Sequence, residues 1–273
     1  MELEFEGIRK DETGHYVFDR EFDFDTDIIY LCSDTSGMKT VDDLTYYYGF
    51  EFNPNVDKKQ QSDFRAALKH KMNDDNVFYG EEARRFVTDG IYRLDEMKRL
   101  TDFGVVISTA SEYGERTLPG LMCEIIFDEA PDDAQVYDMQ LIKRMCRDVT
   151  FDESRAKEAL SKTERYGNDE RKLEYAIRSL KAQFEDAKRN NEIFKMKRYK
   201  PVAGRYGFID FLRFGNPYDQ ETYERLKEGT DVLICDDFIT SGSTIREVIR
   251  FLNTINQNTK ISVFVLVNQM RNY

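Results

Sequence analysis

Cysteine and histidine are scarce here: four and two residues among 273. Cys32, Cys123, Cys146 and Cys235 lie far apart with no Cys-x-x-Cys spacing, which argues against a disulfide frame or a zinc site and for free thiols in a reducing compartment. His15 and His70 are isolated, so neither belongs to a visible metal cluster or triad, and each reads as a surface or packing residue. No apolar run approaches the ~20 residues of a membrane span. The first ten residues, MELEFEGIRK, lack the basic and apolar parts of a signal peptide, and the expected location is the cytoplasm. Positive charge is also in short supply. With 40 Lys and Arg against 52 Asp and Glu, a net charge of −12 excludes a broad surface for nucleic acid or an anionic membrane. Two phosphate-binding motifs are missing as well. No G-x-G-x-x-G occurs, and Ser243 stands after Gly242 where a P-loop needs Lys. The length is enough for one large or two small domains with a genuine core.

What is present is concentrated in Asp231 to Thr244, DVLICDDFITSGST. Val232, Leu233, Ile234 and Cys235 form a short continuous apolar run, the pattern of a strand covered on both faces of a parallel sheet. Ile245, Val248, Ile249 and Leu252 recur at helical spacing, so a helix packs back on that sheet. The turn between them sits at a strand's carboxyl end and a helix's amino end, where open α/β sheets bind ligands and unpaired N–H groups favour an anion. Gly242 lets backbone N–H groups close on phosphate oxygens, and Thr240, Ser241, Ser243 and Thr244 add hydroxyls. Ser243 or Thr244 is also in position to cap the helix. Asp236 and Asp237 would repel a phosphate unless they serve sugar hydroxyls or a divalent cation. The ligand implied is a phosphorylated sugar. The alternative is an ordinary capped helix after a buried strand, which needs one hydroxyl and accounts for neither the acid pair nor Gly242.

Ile234 to Thr244 resembles the phosphoribosyl-pyrophosphate (PRPP) signature of type I phosphoribosyltransferases, with every position of that signature matched. The resemblance implies an α/β fold: a parallel sheet flanked by helices, with a hood over its carboxyl edge. It implies that Asp236 and Asp237 contact the ribose hydroxyls while Thr240, Ser241, Gly242, Ser243 and Thr244 wrap the 5′-phosphate. It further implies transfer of 5-phosphoribose from PRPP to a nitrogen acceptor such as a nucleobase, with Mg2+ bound mainly through PRPP. Some members of the superfamily are regulators or components of bacterial defence systems, so PRPP or nucleotide sensing without turnover is the alternative. A homodimer is a further expectation.

The rest of the chain is placed around that segment. A helix over 81–100 leads into a buried strand at Phe103–Ile107 and then Ser108, Thr109, Ala110 and Ser111. By the resemblance this is the pyrophosphate loop; a plain polar turn is the alternative, and Glu112 stands where the family often has a basic residue or glycine. Leu173, Ala176, Ile177, Leu180, Phe184 and Ala187 form one apolar stripe, and about 130–195 reads as a helical insertion. Lys195 to Gly215 is conspicuously basic. The family places a mobile closing loop before the signature strand, which makes Lys200 and Arg205 the expected closing charges, with Pro201, Gly204 and Gly207 suiting a loop between two strands. A solvated basic helix end is the other reading. Ile261–Val267 is a further buried strand, and 78–273 is expected to form the transferase-like domain. Residues 1–77 are expected as the hood or an accessory segment, with a strand at Asp27–Cys32, a short helix through Phe64, Leu68 and Met72, and Tyr46, Tyr47 and Tyr48 as pocket or packing residues.

Overall fold

The computed structural model describes residues 7–31, 37–41, 43–70, 80–97, 103–110, 112, 114, 117–130, 136–215, 220–239 and 241–269. Five strands form its parallel centre, in the order β7 (Tyr137–Lys143), β6 (Val105–Ala110), β11 (Val232–Ile239), β12 (Ile261–Asn268) and β5 (Leu44–Phe52). β10 (Leu212–Phe214) closes one side antiparallel to β7. On the other side β3 (Asp27–Leu31), β1 (Gly7–Lys10) and β2 (Tyr16–Asp19) continue the sheet antiparallel, and β4 (Met38–Val41) forms a hairpin with β5.

Helices cover both faces. α1 (Lys58–His70), α2 (Gly80–Met97) and α3 (Leu118–Glu129) bring Phe64, Phe86, Ile91, Leu94, Met122 and Ile126 against Phe50, Val106, Leu233 and Leu266. α8 (Ser243–Ile255), with α7 (Gln220–Glu228), covers the opposite face through Ile245, Val248, Leu252 and Leu226. The strands between the layers are apolar on both sides for this reason. β11 has lost almost all solvent contact from Val232 to Cys235, and Tyr46 and Tyr48 are core residues of β5.

Two boundaries differ from the sequence expectation. The N-terminal segment is not set apart from the sheet, because β5 pairs parallel to β12 and is one of the five central strands. Nor does the insertion begin near residue 130: β7 lies inside that span and pairs with β6 from Tyr137 to Ile142. A seven-residue strand amid long helical patterns gave too little periodic signal to separate it. The helical excursion leaves the sheet after Lys143 and returns at Leu212, and those two residues are paired neighbours. It is therefore an insertion at the tip of the β7–β10 hairpin.

That insertion is a folded unit. α4 (Glu153–Ser161), α5 (Glu164–Gly167) and α6 (Glu170–Arg189) are joined to a two-stranded ribbon of β8 (Thr150–Phe151) and β9 (Phe208–Ile209). Asp152 caps α4 by accepting from the N–H groups of Ser154 and Arg155, and Asp169 caps α6 by accepting from that of Lys172. The predicted stripe of α6 is buried at Ala176, Ile177, Leu180, Phe184 and Ala187. Phe184, Phe194, Tyr199, Phe208 and Phe211 form an aromatic cluster, with ring centroids 4.4 Å apart for Tyr199 and Phe208 and 4.9 Å for Phe194 and Phe211. Burial of this size dominates local stability, and each favourable ring pair adds about 0.5–1.5 kcal/mol.

The segment expected as a mobile loop belongs to the same unit. Residues Met196–Arg198 and Val202–Gly207 form 3-10 turns. A Cβ on Gly204 would lie 2.3 Å from Leu180 Cδ1, and one on Gly207 would lie 2.7 Å from both Ala156 Cβ and the Asp152 carbonyl. These glycines permit close packing on α6 and α4 rather than motion. Gly207→Val is expected to lower the free energy of unfolding by about 1–3 kcal/mol through overpacking, measured by urea denaturation. An unchanged midpoint would show that the contact is not tight.

One buried acid sets a pH dependence. Asp27 is fully buried; its Oδ2 accepts from the Asp23 N–H at 2.7 Å, and its Oδ1 has no partner among the described residues. Burial pushes its carboxyl up to about 6, and the nearby Asp19 and Asp23 carboxylates add to the effect. A raised folded-state value contributes stability that is complete below the unfolded value and is lost as pH rises through about 6. Asp27→Asn is therefore expected to gain stability relative to the parent chain between pH 4 and 7. A difference independent of pH would contradict this.

Candidate functional site

The site begins where two strands part. β6 and β11 pair only from Val105 to Ile107 and from Val232 to Ile234. Beyond that point β6 continues to Ala110 against β7, while β11 continues to Ile239 against β12. The two carboxyl ends thus separate, with Ser108, Thr109 and Ala110 on one side and Cys235, Asp236 and Asp237 on the other. Ligands of open α/β sheets bind in such a crevice.

Asp236 and Asp237 lie within β11, because the strand runs on through Phe238 and Ile239, beyond the apolar run Val232 to Cys235. Asp236 is half-buried, and its Oδ1 accepts from the Asp237 N–H at 3.0 Å. Asp237 is 9 % exposed, and its Oδ1 accepts from the Phe238 N–H at 2.7 Å. Burial lowers the pKa of the Arg65 guanidinium on α1 while the Asp237 charge opposes that shift, and Arg65 Nη1 donates to Gln269 Oε1 at 2.7 Å. The N-terminal helix α1 therefore contributes a cation that interacts electrostatically with Asp237. Nothing in the sequence marked Arg65, since it sits in an ordinary polar helix far away along the chain.

After Ile239 the chain turns into α8. Thr240 lies outside the described residues. Gly242 occupies the left-handed region at φ 68°, ψ 7° and is the N-cap of α8, with no side-chain cap bond. Neither Ser243 nor Thr244 caps the helix; the Ser243 N–H donates to Ser241 Oγ at 3.4 Å, and the positive end of the helix dipole at such a start favours an anion. Ser241 Oγ and Ser243 Oγ lie 2.8 Å apart, holding the two hydroxyls together at the bend. Thr244 is half-buried one residue further on.

On the opposite wall, Ser108 and Ala110 are buried and Thr109 is half-buried, while Ser111 lies outside the described residues. The Thr109 carbonyl accepts from Thr117 Oγ1 at 3.4 Å, and the Gly114 N–H donates to Gln140 Oε1 of β7 at 3.2 Å.

Arg205, one of the two expected closing charges, is engaged within the insertion. Arg205 Nε donates to the Tyr199 carbonyl at 2.8 Å and Nη2 to the Lys197 carbonyl at 3.2 Å, and burial lowers its pKa. Lys200 is bound through its backbone to Gln183 of α6. The basic composition of this segment was legible in the sequence. Its use was not, because the aromatic core that pins it is assembled from residues far apart.

Tyr206 takes the place near the turn instead. Its hydroxyl donates to the Ser241 carbonyl at 2.5 Å, and Arg246, on the first turn of α8, donates to the same carbonyl at 3.0 Å. Arg246 sits i+4 from Gly242, a spacing that could have signalled a role; Tyr206 carried no signal.

Residues 208–273 match the model of the phosphoribosyl transferase domain family, which supports the type I phosphoribosyltransferase superfamily for this segment. The mostly parallel sheet flanked by helices agrees with that fold. The match covers less than half of the chain: it takes in β9 to β12 with α7 and α8, and leaves β5, β6 and β7 outside. No curated protein matches the chain.

At the turn itself, Gly242→Ala is expected to cost about 1–2 kcal/mol of stability, because a Cβ is strained in the left-handed region. Chemical denaturation measures it, and a neutral effect would show that the turn is not held at positive φ.

Proposed function

We propose that this chain binds PRPP and transfers its 5-phosphoribosyl group to a nitrogen acceptor, a nucleobase or a related ring, with release of pyrophosphate. The observation that carries the reading is the meeting of three features at one sheet edge: the parted β6 and β11, the acids on β11, and the glycine-capped start of α8. The family match over 208–273 covers the acids and the turn and supports phosphoribosyl transfer in general terms.

In this reading Ser241, Gly242, Ser243 and Thr244, with Thr240, hold the 5′-phosphate through N–H groups and hydroxyls. Asp236 and Asp237 accept from the ribose hydroxyls. The bond from the anomeric carbon to pyrophosphate breaks, a bond to the acceptor nitrogen forms, and a proton leaves that nitrogen. Positive charge grows on the ribose meanwhile, so the chain acts by positioning and electrostatics, with the two carboxylates stabilising the cationic ring. In the same reading Ser108, Thr109, Ala110 and Ser111 receive the pyrophosphate. The hard oxygen donors of Asp236 and Asp237 fit a Mg2+ that keeps most of its ligands from PRPP and water; such an ion would neutralise the leaving group.

A second reading, PRPP or nucleotide sensing without turnover, is favoured by one observation. At the hairpin tip where the resemblance expects a mobile closing loop, this chain has a packed helical unit, and Arg205 is engaged with backbone carbonyls. A closing loop excludes water and so prevents wasteful hydrolysis. Pyrophosphate release with a panel of purines, pyrimidines, orotate and nicotinate separates the readings: release with one acceptor supports transfer, and tight PRPP binding without release under any acceptor supports sensing.

Asp237→Asn is expected to weaken magnesium-dependent PRPP binding at least tenfold in calorimetry, with the thermal midpoint within a few degrees of the parent. That loss is of the order of a charged hydrogen bond, about 1.5–3 kcal/mol. Unchanged affinity would remove the acid pair from the site.

A further inference from the structure

The geometry points to Arg246 and Tyr206 as positioning residues that fix the direction of the Ser241–Gly242 peptide, and hence aim the Gly242 N–H at the phosphate. This deepens the PRPP-binding reading and rests on it. The Ser241 carbonyl accepts two hydrogen bonds, from Tyr206 Oη at 2.5 Å and Arg246 Nη1 at 3.0 Å. In a planar trans peptide the C=O and the following N–H point in opposite directions. Holding the carbonyl against these two side chains therefore turns the Gly242 N–H the other way. Glycine occupies either sign of φ at little cost, so an unbraced Ser241–Gly242 peptide has a cheap flipped alternative. The flipped form presents a carbonyl oxygen where the bound anion needs a donor, and binding falls by the fraction of molecules so arranged.

The brace is itself anchored. Arg246 Nε donates to Asp43 Oδ1 at 3.0 Å, Nη2 to the Val41 carbonyl at 3.2 Å and Nη1 to Tyr206 Oη at 2.9 Å, and its side chain is only 15 % exposed. Its backbone N–H donates to the Gly242 carbonyl at 2.9 Å, so one residue holds the peptides on both sides of Gly242. One turn along α8, Arg250 Nη2 donates to Asp210 Oδ1 at 2.6 Å and its Nε to Glu247 Oε2 at 2.7 Å. Tyr206 and Asp210 both come from the end of the hairpin-tip insertion. The insertion thus supplies a fixed support for the phosphate turn from the position where a closing loop was expected.

The test uses the full chain and the variants Tyr206→Phe, Arg246→Gln and Arg246→Lys, with two probes: PRPP with Mg2+, and inorganic phosphate. Tyr206→Phe is expected to weaken both about fivefold and Arg246→Gln about tenfold or more, with Arg246→Lys recovering part of the loss. If turnover is measured, the PRPP KM rises while kcat and the acceptor KM stay near the parent values. The Gly242 amide resonance, which shifts on adding phosphate to the parent chain, is expected to shift less in Tyr206→Phe at the same saturation. A merely structural role predicts instead a lower thermal midpoint with unchanged affinity in the folded fraction, and that result overturns the inference alone. If the parent binds phosphate but not PRPP and the variants weaken phosphate, the PRPP reading falls and the brace stands. If the parent binds neither, both fall.

Discussion

The ladder between β6 and β11 ends after Ile107 and Ile234, and the rest of the site depends on that ending. Both strands go on, each held by its other neighbour, so separation costs no unpaired ladder at their far edges. Had the pairing continued, the backbone groups of Ser108 to Ala110 would be committed to β11. The parting instead leaves two walls of different chemistry. Small hydroxyl-bearing residues line one, and a pair of carboxylates leading into a glycine bend lines the other. A ligand with a charged leaving group at one end and a phosphorylated sugar at the other suits such walls.

The insertion changes the character of this site. In a loop, basic side chains lose conformational freedom only when ligand arrives, so closure and release become part of the cycle. Here the chain between β7 and β10 is organised by the aromatic cluster around Phe184, Phe194, Tyr199 and Phe208, and it meets α8 through Tyr206 and Asp210. Ordering entropy is met on folding rather than on binding. The consequence is a turn before α8 that is shaped in advance, with Arg205, one of the expected closing charges, engaged by backbone carbonyls. Preorganisation favours binding. Sensing without turnover remains the second reading for this reason.

Legibility in the sequence followed the range of the interactions involved. β11 and α8 are governed by local patterning, an apolar run followed by helical spacing, and both lie where the residues place them. The stripe of α6 and the strand Ile261 to Asn268 were readable for the same reason. β7 was not, because a short strand beside long helices carries no distinctive period. Gly204 and Gly207 read as loop glycines because close packing and turning both select glycine, and only tertiary contacts with Leu180, Ala156 and Asp152 separate the two. Within the candidate site, Asp236, Asp237 and Gly242 stood out by residue type and order, and the structure sets them along β11 and at the start of α8. Arg246 stands four residues after Gly242 and was within reach of local pattern, whereas Arg65 and Tyr206 are tied to this region only by pairings distant along the chain, for which local pattern holds no information.

The central claim is that the bend at Gly242 and the acids of β11 together hold a 5-phosphorylated ribose. A crystal structure of the chain with ribose 5-phosphate tests it most directly. The account predicts the phosphate within hydrogen-bond distance of the N–H groups at Gly242 to Thr244, with the ribose hydroxyls on Asp236 and Asp237. A sugar phosphate bound elsewhere, or a bend that stays closed by the protein's own side chains at saturating ligand, would contradict it.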